Sequence, residues 1–149
     1  MSRAFVKEDI DEPHREALRR PASGLPPGAL NLMTAEGALR LRYRLNDLQR
    51  DPGSHSAEIT ALQHALDSAT LVEHTARTDA IVFGSHVSIR RPDGTLERWR
   101  IVGVDEVSLE PGFVSWLSPL GKALLAAQPG KPFRVPPSTA VYGTVEEVA

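Results

Sequence analysis

Asp105 and Glu106 are adjacent carboxylates, a pair that general acid–base chemistry can use when a cleft drives their pKa values apart. Nothing around them builds a cleft. Val104-Asp105-Glu106 and Leu109-Glu110-Pro111-Gly112 read as a solvated acidic loop suited to meeting a basic partner surface. Two further acids, Asp51 and Glu58, flank an Asp51-Pro52-Gly53-Ser54 turn. Hard cations such as magnesium need closely placed oxygen ligands, and one carboxylate in a Pro-Gly turn offers at most one. His14, His55, His64, His74 and His86 show no His-Glu-x-x-His spacing, so no bound metal or other cofactor is expected. Ser85 and Ser118 lack a Gly-x-Ser-x-Gly elbow, and no glycine-rich phosphate loop occurs. The absence of cysteine removes disulfides, thiolate metal sites and thiol nucleophiles. These residues point away from an enzyme.

Arg40 and Arg44 lie four apart and share a helical face, and with Arg42 and Arg50 they make that helix basic. Such a face fits either contact with RNA or plain solvation. The whole chain is close to neutral, with 17 basic and 19 acidic residues among 149, so the overall charge argues for neither nucleic acid nor membrane. No stretch approaches the roughly 20 apolar residues of a membrane helix. The first 21 residues carry charge of both signs, unlike a secretory signal. A soluble cytoplasmic protein is expected.

The elements that would position these residues follow from the pattern. Residues 1–32 form an N-terminal extension broken by Pro13, Pro21, Pro26 and Pro27, with room for a short helical turn around Pro13 to Arg20. Over residues 33–75, Ala38, Leu41, Leu45 and Leu48 and then Ile59, Leu62, Leu66 and Ala69 recur at spacings of three, four and three. Thr34 and Ser56 are the N-caps expected for the two runs, and the Asp51–Ser54 turn separates them. Two narrow apolar stripes joined by a tight turn predict an antiparallel helical hairpin with a coiled-coil seam. With about 16 residues per helix it projects roughly 24 Å.

From residue 80 to 147 the period shortens. Val87 and Ile89 alternate with polar residues, as do Leu96, Trp99 and Ile101 with one slip, around a Pro92-Asp93-Gly94 hairpin turn. Phe113 to Trp116 is a third strand. Ser118-Pro119 opens a helix that Gln128-Pro129-Gly130 stops, and Phe133–Val135 and Val141–Val145 add strands. The result is a small antiparallel sheet with one helix, and the chain as a whole is α+β.

Several motifs in this second half occur together and in one order. Phe83-Gly84-Ser85, Ile101-Val102-Gly103, Asp105-Glu106, Ser118-Pro119-Leu120-Gly121-Lys122-Ala123-Leu124-Leu125 and the Pro129-Gly130 turn closely resemble the C-terminal domain of the GreA/GreB transcription elongation factors. Met33-Thr34-Ala35-Glu36-Gly37 and the leucine stripe after it are similar to the start of that family's coiled coil, and the opening Met1–Asp9 resembles GreB-like proteins. The resemblance implies a hairpin followed by an FKBP-like domain. It also implies that the domain docks on the rim of the RNA polymerase secondary channel while the hairpin enters the channel, so that any RNA or DNA contact is made inside that complex. By resemblance, Trp116, Ser118 and Pro119 form the docking edge; Leu117 stands where some members present an acidic or amide residue, which makes the expected polymerase contact more apolar, and Asp105 and Glu106 are expected to help meet the polymerase from their loop. The rival assignment makes Trp116 core and Ser118 only a cap. Cleavage-competent members carry an acidic Asp-Leu-Ser-Glu-Asn-like tip between longer helices; here Gln49 to Glu58 stands in its place, with Asp51 and Glu58 as its acids. The resemblance therefore implies a monomeric polymerase-binding regulator without efficient stimulation of transcript cleavage, as in the short-armed relative Rnk. The alternatives are a cleavage factor that works despite its short arm and an FKBP-like prolyl isomerase.

Overall fold

The computed structural model describes residues 25–149; the expected helical turn near Pro13–Arg20, and His14, lie outside them. The described chain begins with a short strand, β1 (Asn31–Thr34), and then α1 (Ala35–Leu48) and α2 (Ser56–Ser68). A second short strand, β2 (Ala69–Val72), follows α2 and pairs with β1 in parallel, Asn31 opposite Ala69 and Thr34 opposite Val72. Thr34 caps α1 as expected: its hydroxyl accepts a hydrogen bond from the Gly37 N–H at 3.0 Å. The Ser56 cap does not form. Ser56 is already helical, His55 precedes it in a non-helical conformation, and no side chain caps α2.

The helices are shorter than expected, 14 and 13 residues: α1 starts just after its cap but stops at Leu48, with Gln49 and Arg50 in a turn, and Ala69 belongs to a strand instead. At about 1.5 Å per residue α1 is roughly 21 Å long. Between the helices the chain turns through a 3-10 turn at Pro52–Ser54 and returns, so that Arg44 of α1 meets Glu58 of α2 at 2.8 Å. The stripes meet as well: Met33, Ala38, Leu41 and Ala65 form a buried cluster, with Leu62, Leu66, Ala69 and Leu109 packed against it. Leu109 comes from the second half of the chain, so this cluster is not a closed seam between two helices.

Residues 86–148 form a five-stranded sheet in the order β5 (Phe113–Ser115), β4 (Leu96–Val102), β3 (His86–Arg90), β7 (Val141–Val148) and β6 (Pro132–Arg134). It is mixed rather than wholly antiparallel. β3 pairs antiparallel with β4 and β7, and β6 with β7, but β4 and β5 run parallel. A parallel neighbour cannot be reached by a tight turn, and the chain uses Gly103 to Gly112 as the crossover. The helix α3 (Pro119–Ala126) covers the sheet, and its Leu124 is buried with Val87, Ile89, Ile101, Val114, Phe133, Val145 and Val148. The alternation read in the sequence is the buried face: Val87, Ile89 and Ile101 point inward while Leu96 is half exposed. The hairpin turn also forms, with the Asp93 carboxylate accepting from the Thr95 N–H at 2.9 Å.

Candidate functional site

The crossover between β4 and β5 decides how the two halves of the molecule are held. Glu106 lies in it and is fully buried, against the expectation of a solvated acidic loop. Its Oε2 accepts hydrogen bonds from the Gly103 N–H at 2.7 Å and the Thr34 N–H at 3.0 Å, and its Oε1 accepts one from the Thr34 hydroxyl. The physical reason is the start of α1. A helix N-terminus leaves backbone N–H groups without partners, and Thr34 with Glu106 supplies acceptors there. Gly37 makes room: a Cβ at that position would sit 1.8 Å from Glu106 Oε1. Glu106 is therefore closed to any partner surface in this conformation, and a docking role for it is withdrawn.

Three further links cross the same junction. The Asn31 amide donates to Asp105 Oδ2 at 3.1 Å and to the Ala65 carbonyl at 3.3 Å, joining loop, strand and α2. Arg40 donates to Glu110 Oε2 at 2.5 Å and to the Leu109 carbonyl at 3.1 Å. Arg100 of β4, with only 12% of its side chain exposed, pairs with Glu36 of α1 at 2.5 Å. Hydrogen bonding to Arg100, and then its charge, hold the Glu36 carboxyl below its usual range. His86 on the neighbouring strand is exposed at its surface side but partly desolvated against the sheet, and its imidazole is held below the usual range first by that desolvation and then by the positive charges of Arg100 and His74.

The corner after β5 is built differently. Ser118 caps α3, its hydroxyl accepting from the Gly121 N–H at 3.0 Å while donating to the Ser115 carbonyl at 2.7 Å. Pro119 takes the first helical position. A Cβ on Gly121 would stand 1.9 Å from the Ser115 carbonyl oxygen, which explains glycine in the Ser-Pro-Leu-Gly run. Trp116 is half-buried and meets Phe83 edge to face, with ring centroids 6.4 Å apart. Leu117 and Pro119, by contrast, border an open groove of about 670 Å³ between α3 and β6. The corner thus has a packed side, Trp116 and Ser118, and an open side, Leu117 and Pro119.

At the far end of the hairpin, Asp51 Oδ2 accepts from the Ser54 hydroxyl at 3.1 Å, and Glu58 is paired with Arg44. Each acid is turned to its own neighbour, so they do not form a joint oxygen site.

Residues 76–149 match the family model described as "Transcription elongation factor, GreA/GreB, C-term". Residues 76–149 belong to the GreA/GreB family. The chain is 36% identical over 74 residues to the transcription elongation factor GreB of Neisseria meningitidis serogroup B, covering 48% of this chain and 45% of the relative. It is 30% identical over 98 residues to the transcription elongation factor GreA of Novosphingobium aromaticivorans, covering 65% and 62%. The chain thus spans less than two thirds of the length of these relatives. Against the solved structure of the prokaryotic transcription elongation factor GreA/GreB from Nitrosomonas europaea, the TM-score is 0.39 at 21% identity, with 79% of this chain and 98% of that one covered.

Among the described residues, those singled out from sequence fall into three groups. Trp116, Leu117, Ser118 and Pro119 are contiguous at one corner. Asp105, Glu106, Arg40 and, through Glu110, the crossover loop belong to the junction between hairpin and sheet. Asp51, Glu58 and Arg44 lie at or near the tip of the hairpin. Sequence reasoning missed Asn31 and did not bring Glu36, Gly37 and Arg100 together, though all four build the junction. The one local signal was Thr34, a cap whose N–H and hydroxyl needed an acceptor from elsewhere. Of the aromatics weighed for an isomerase pocket, Phe83, Trp99, Trp116 and Tyr142 pack against the core, Phe133 lines the groove beside α3, and Trp99 and Phe113 line a second groove beside β4.

Proposed function

We propose that this protein is an RNA polymerase-binding elongation factor that docks at the secondary channel rim through the Trp116–Pro119 corner and acts as a regulator, without stimulating transcript cleavage efficiently. It works as a monomer in the cytoplasm and is not itself a catalyst. The observation that carries the reading is the GreA/GreB C-terminal domain, with its open corner at Leu117 and Pro119, held to a hairpin of only 14- and 13-residue helices. A hairpin of roughly 21 Å with Asp51 bonded to Ser54 and Glu58 paired to Arg44 has neither the reach nor the paired oxygens to help hold a second magnesium ion. Occupying the channel entrance would still exclude other channel-binding factors.

The test is binding to bacterial core RNA polymerase in competition with a full-length cleavage factor, followed by a cleavage assay on backtracked complexes. Pro119→Glu is the informative variant, because Pro119 is exposed and an acid in the first helical turn is favoured, so the fold is kept. Competitive binding weakened about tenfold or more in Pro119→Glu, the roughly 1.4 kcal/mol scale of one good interface contact, is expected, with no added cleavage. Absence of binding at micromolar concentration would sink the reading; rapid Asp51-dependent cleavage would sink its regulatory half.

A further inference from the structure

The groove between α3 and β6 has an apolar floor and a rim of one charge sign. Lys122, Ala123 and Ala126 line it from α3, and Lys131, Phe133 and Arg134 from the opposite wall. Pro119, Lys122, Ala123 and Ala126 recur at three, one and three, which is a single helical face. Among the described residues, no acidic one lines the groove, and Lys122 and Lys131 have no ion-pair partner. Arg134 is tied only through its Nε, which donates to the Thr139 carbonyl at 2.6 Å. β6 is a sheet edge, but it is three residues long and begins with Pro132, which has no N–H to give. The groove is thus suited to grip side chains, apolar ones on the floor and carboxylates at the rim, rather than to add a strand.

The chain itself contains such a segment. Phe5-Val6-Lys7-Glu8-Asp9-Ile10-Asp11-Glu12 carries four carboxylates against one lysine, with Phe5, Val6 and Ile10 between them. The stretch after it, Arg15 to Arg20, is net basic, so the acidic character is confined to residues 5–12. Residues 13–24 separate this segment from Leu25, a tether that reaches roughly 40 Å when extended, more than the radius of a domain this size. We propose that the groove of α3 and β6 is the seat of the chain's own acidic segment, residues 5–12, bound in cis. Apolar residues settle on Ala123, Ala126 and Phe133, and carboxylates face Lys122, Lys131 and Arg134. Because Leu117 and Pro119 border the same groove, the seated segment covers the docking corner. That consequence rests on the polymerase reading above, whereas the cis contact does not.

The chain has no cysteine, so Ser2→Cys gives one site for a nitroxide label on the otherwise unchanged 149-residue chain. In an isotope-labelled sample the amides of Ala126, Lys131 and Arg134 should be broadened by the label, and those of the hairpin tip at Gly53 and Ser54 should not. Neutralising the segment (E8Q, D9N, D11N, E12Q) should abolish the broadening, as should raising salt from 0.1 to 1 M, which shortens the Debye length from about 10 to about 3 Å. Lys122→Glu with Lys131→Glu should abolish it too, and E8K, D9K, D11K and E12K added to that pair should restore it. Lys122 and Lys131 are exposed, so these changes leave the core intact. Three results would overturn the proposal: no broadening at the groove, broadening that survives neutralisation, or the same broadening on isotope-enriched chains without a nitroxide when they are mixed with nitroxide-labelled chains of natural isotope abundance. The last would make the occupant a second copy. Polymerase is absent from the experiment, so its outcome is independent of the docking reading.

Discussion

A carboxylate with no solvent contact must find its donors inside the protein, and Glu106 finds three: two backbone N–H groups and the Thr34 hydroxyl. Removing it leaves Thr34 N–H and Gly103 N–H buried without an acceptor, at about 1–3 kcal/mol each. Glu106→Ala should therefore cost the hairpin about 3 kcal/mol or more, read from the helical signal in urea denaturation, with a cavity adding to the loss. Glu106→Gln should cost less, since its amide oxygen still accepts and the Thr34 hydroxyl can reorient to accept from its NH₂. If glutamine and alanine proved equally mild, Glu106 would not be the fastening it is argued to be. This residue also marks where sequence reading stopped. Asp105-Glu106 beside Glu110 has the composition of a solvated loop, and burial of one of the acids depends on a helix start some 70 residues away, which no local pattern encodes. Thr34 and Ser118, whose roles are set by their next three residues, were legible.

Among the elements, α1 carries a conflict that its own propensities cannot explain. Gly37 lies inside a helix, where alanine is favoured by about 1 kcal/mol. Yet a Cβ there would lie 1.8 Å from Glu106 Oε1, so Gly37→Ala should destabilise the protein despite the helical gain. The sign should reverse when Glu106 is shortened: in a Glu106→Ala background, Gly37→Ala should be neutral or stabilising. This non-additivity between touching residues would be read from a double-mutant cycle. The β3–β4 face beside α1 gives a second expectation. His86 has a folded-state pKa below its unfolded value near 6.5, owing to desolvation and then Arg100 and His74, with Glu36 and Glu110 opposing. Its contribution is therefore present above that unfolded value and is lost as pH falls through the folded one. Stability measured from pH 7 towards pH 5 should decline, and His86→Gln should flatten the decline. The two helices, the sheet strands and the turn at Asp93 were legible because each has its own period or turn chemistry. β1 and β2 were not, because four-residue strands leave too few positions for a period, and Ala69 continued the helical stripe of α2 in register.

For the whole molecule, the question is whether hairpin and sheet behave as one body. Helices of 14 and 13 residues are marginal in isolation. Their apolar cluster is completed by Leu109 from the crossover loop. Four links reinforce that contact: Glu106 to Thr34, Asp105 to Asn31, Glu110 to Arg40 and Arg100 to Glu36. The last two are partly exposed ion pairs, and such pairs contribute about 0–1 kcal/mol. The buried Glu106 and the Leu109 packing must then dominate the coupling. It follows that the intact protein should unfold in one cooperative transition, with calorimetric and van't Hoff enthalpies equal. Glu106→Ala should split it, the hairpin melting first and the sheet, which keeps its own core of Val87, Ile89, Ile101, Leu124 and Val145, melting near the original temperature. Arg40→Ala or Glu36→Ala should leave a single transition. A single transition in Glu106→Ala would mean that Leu109 packing alone couples the two parts, and Leu109→Ala would then be the variant that separates them. For a factor proposed to place a short hairpin in a channel from a docking site on its other half, that coupling fixes the direction in which the hairpin points.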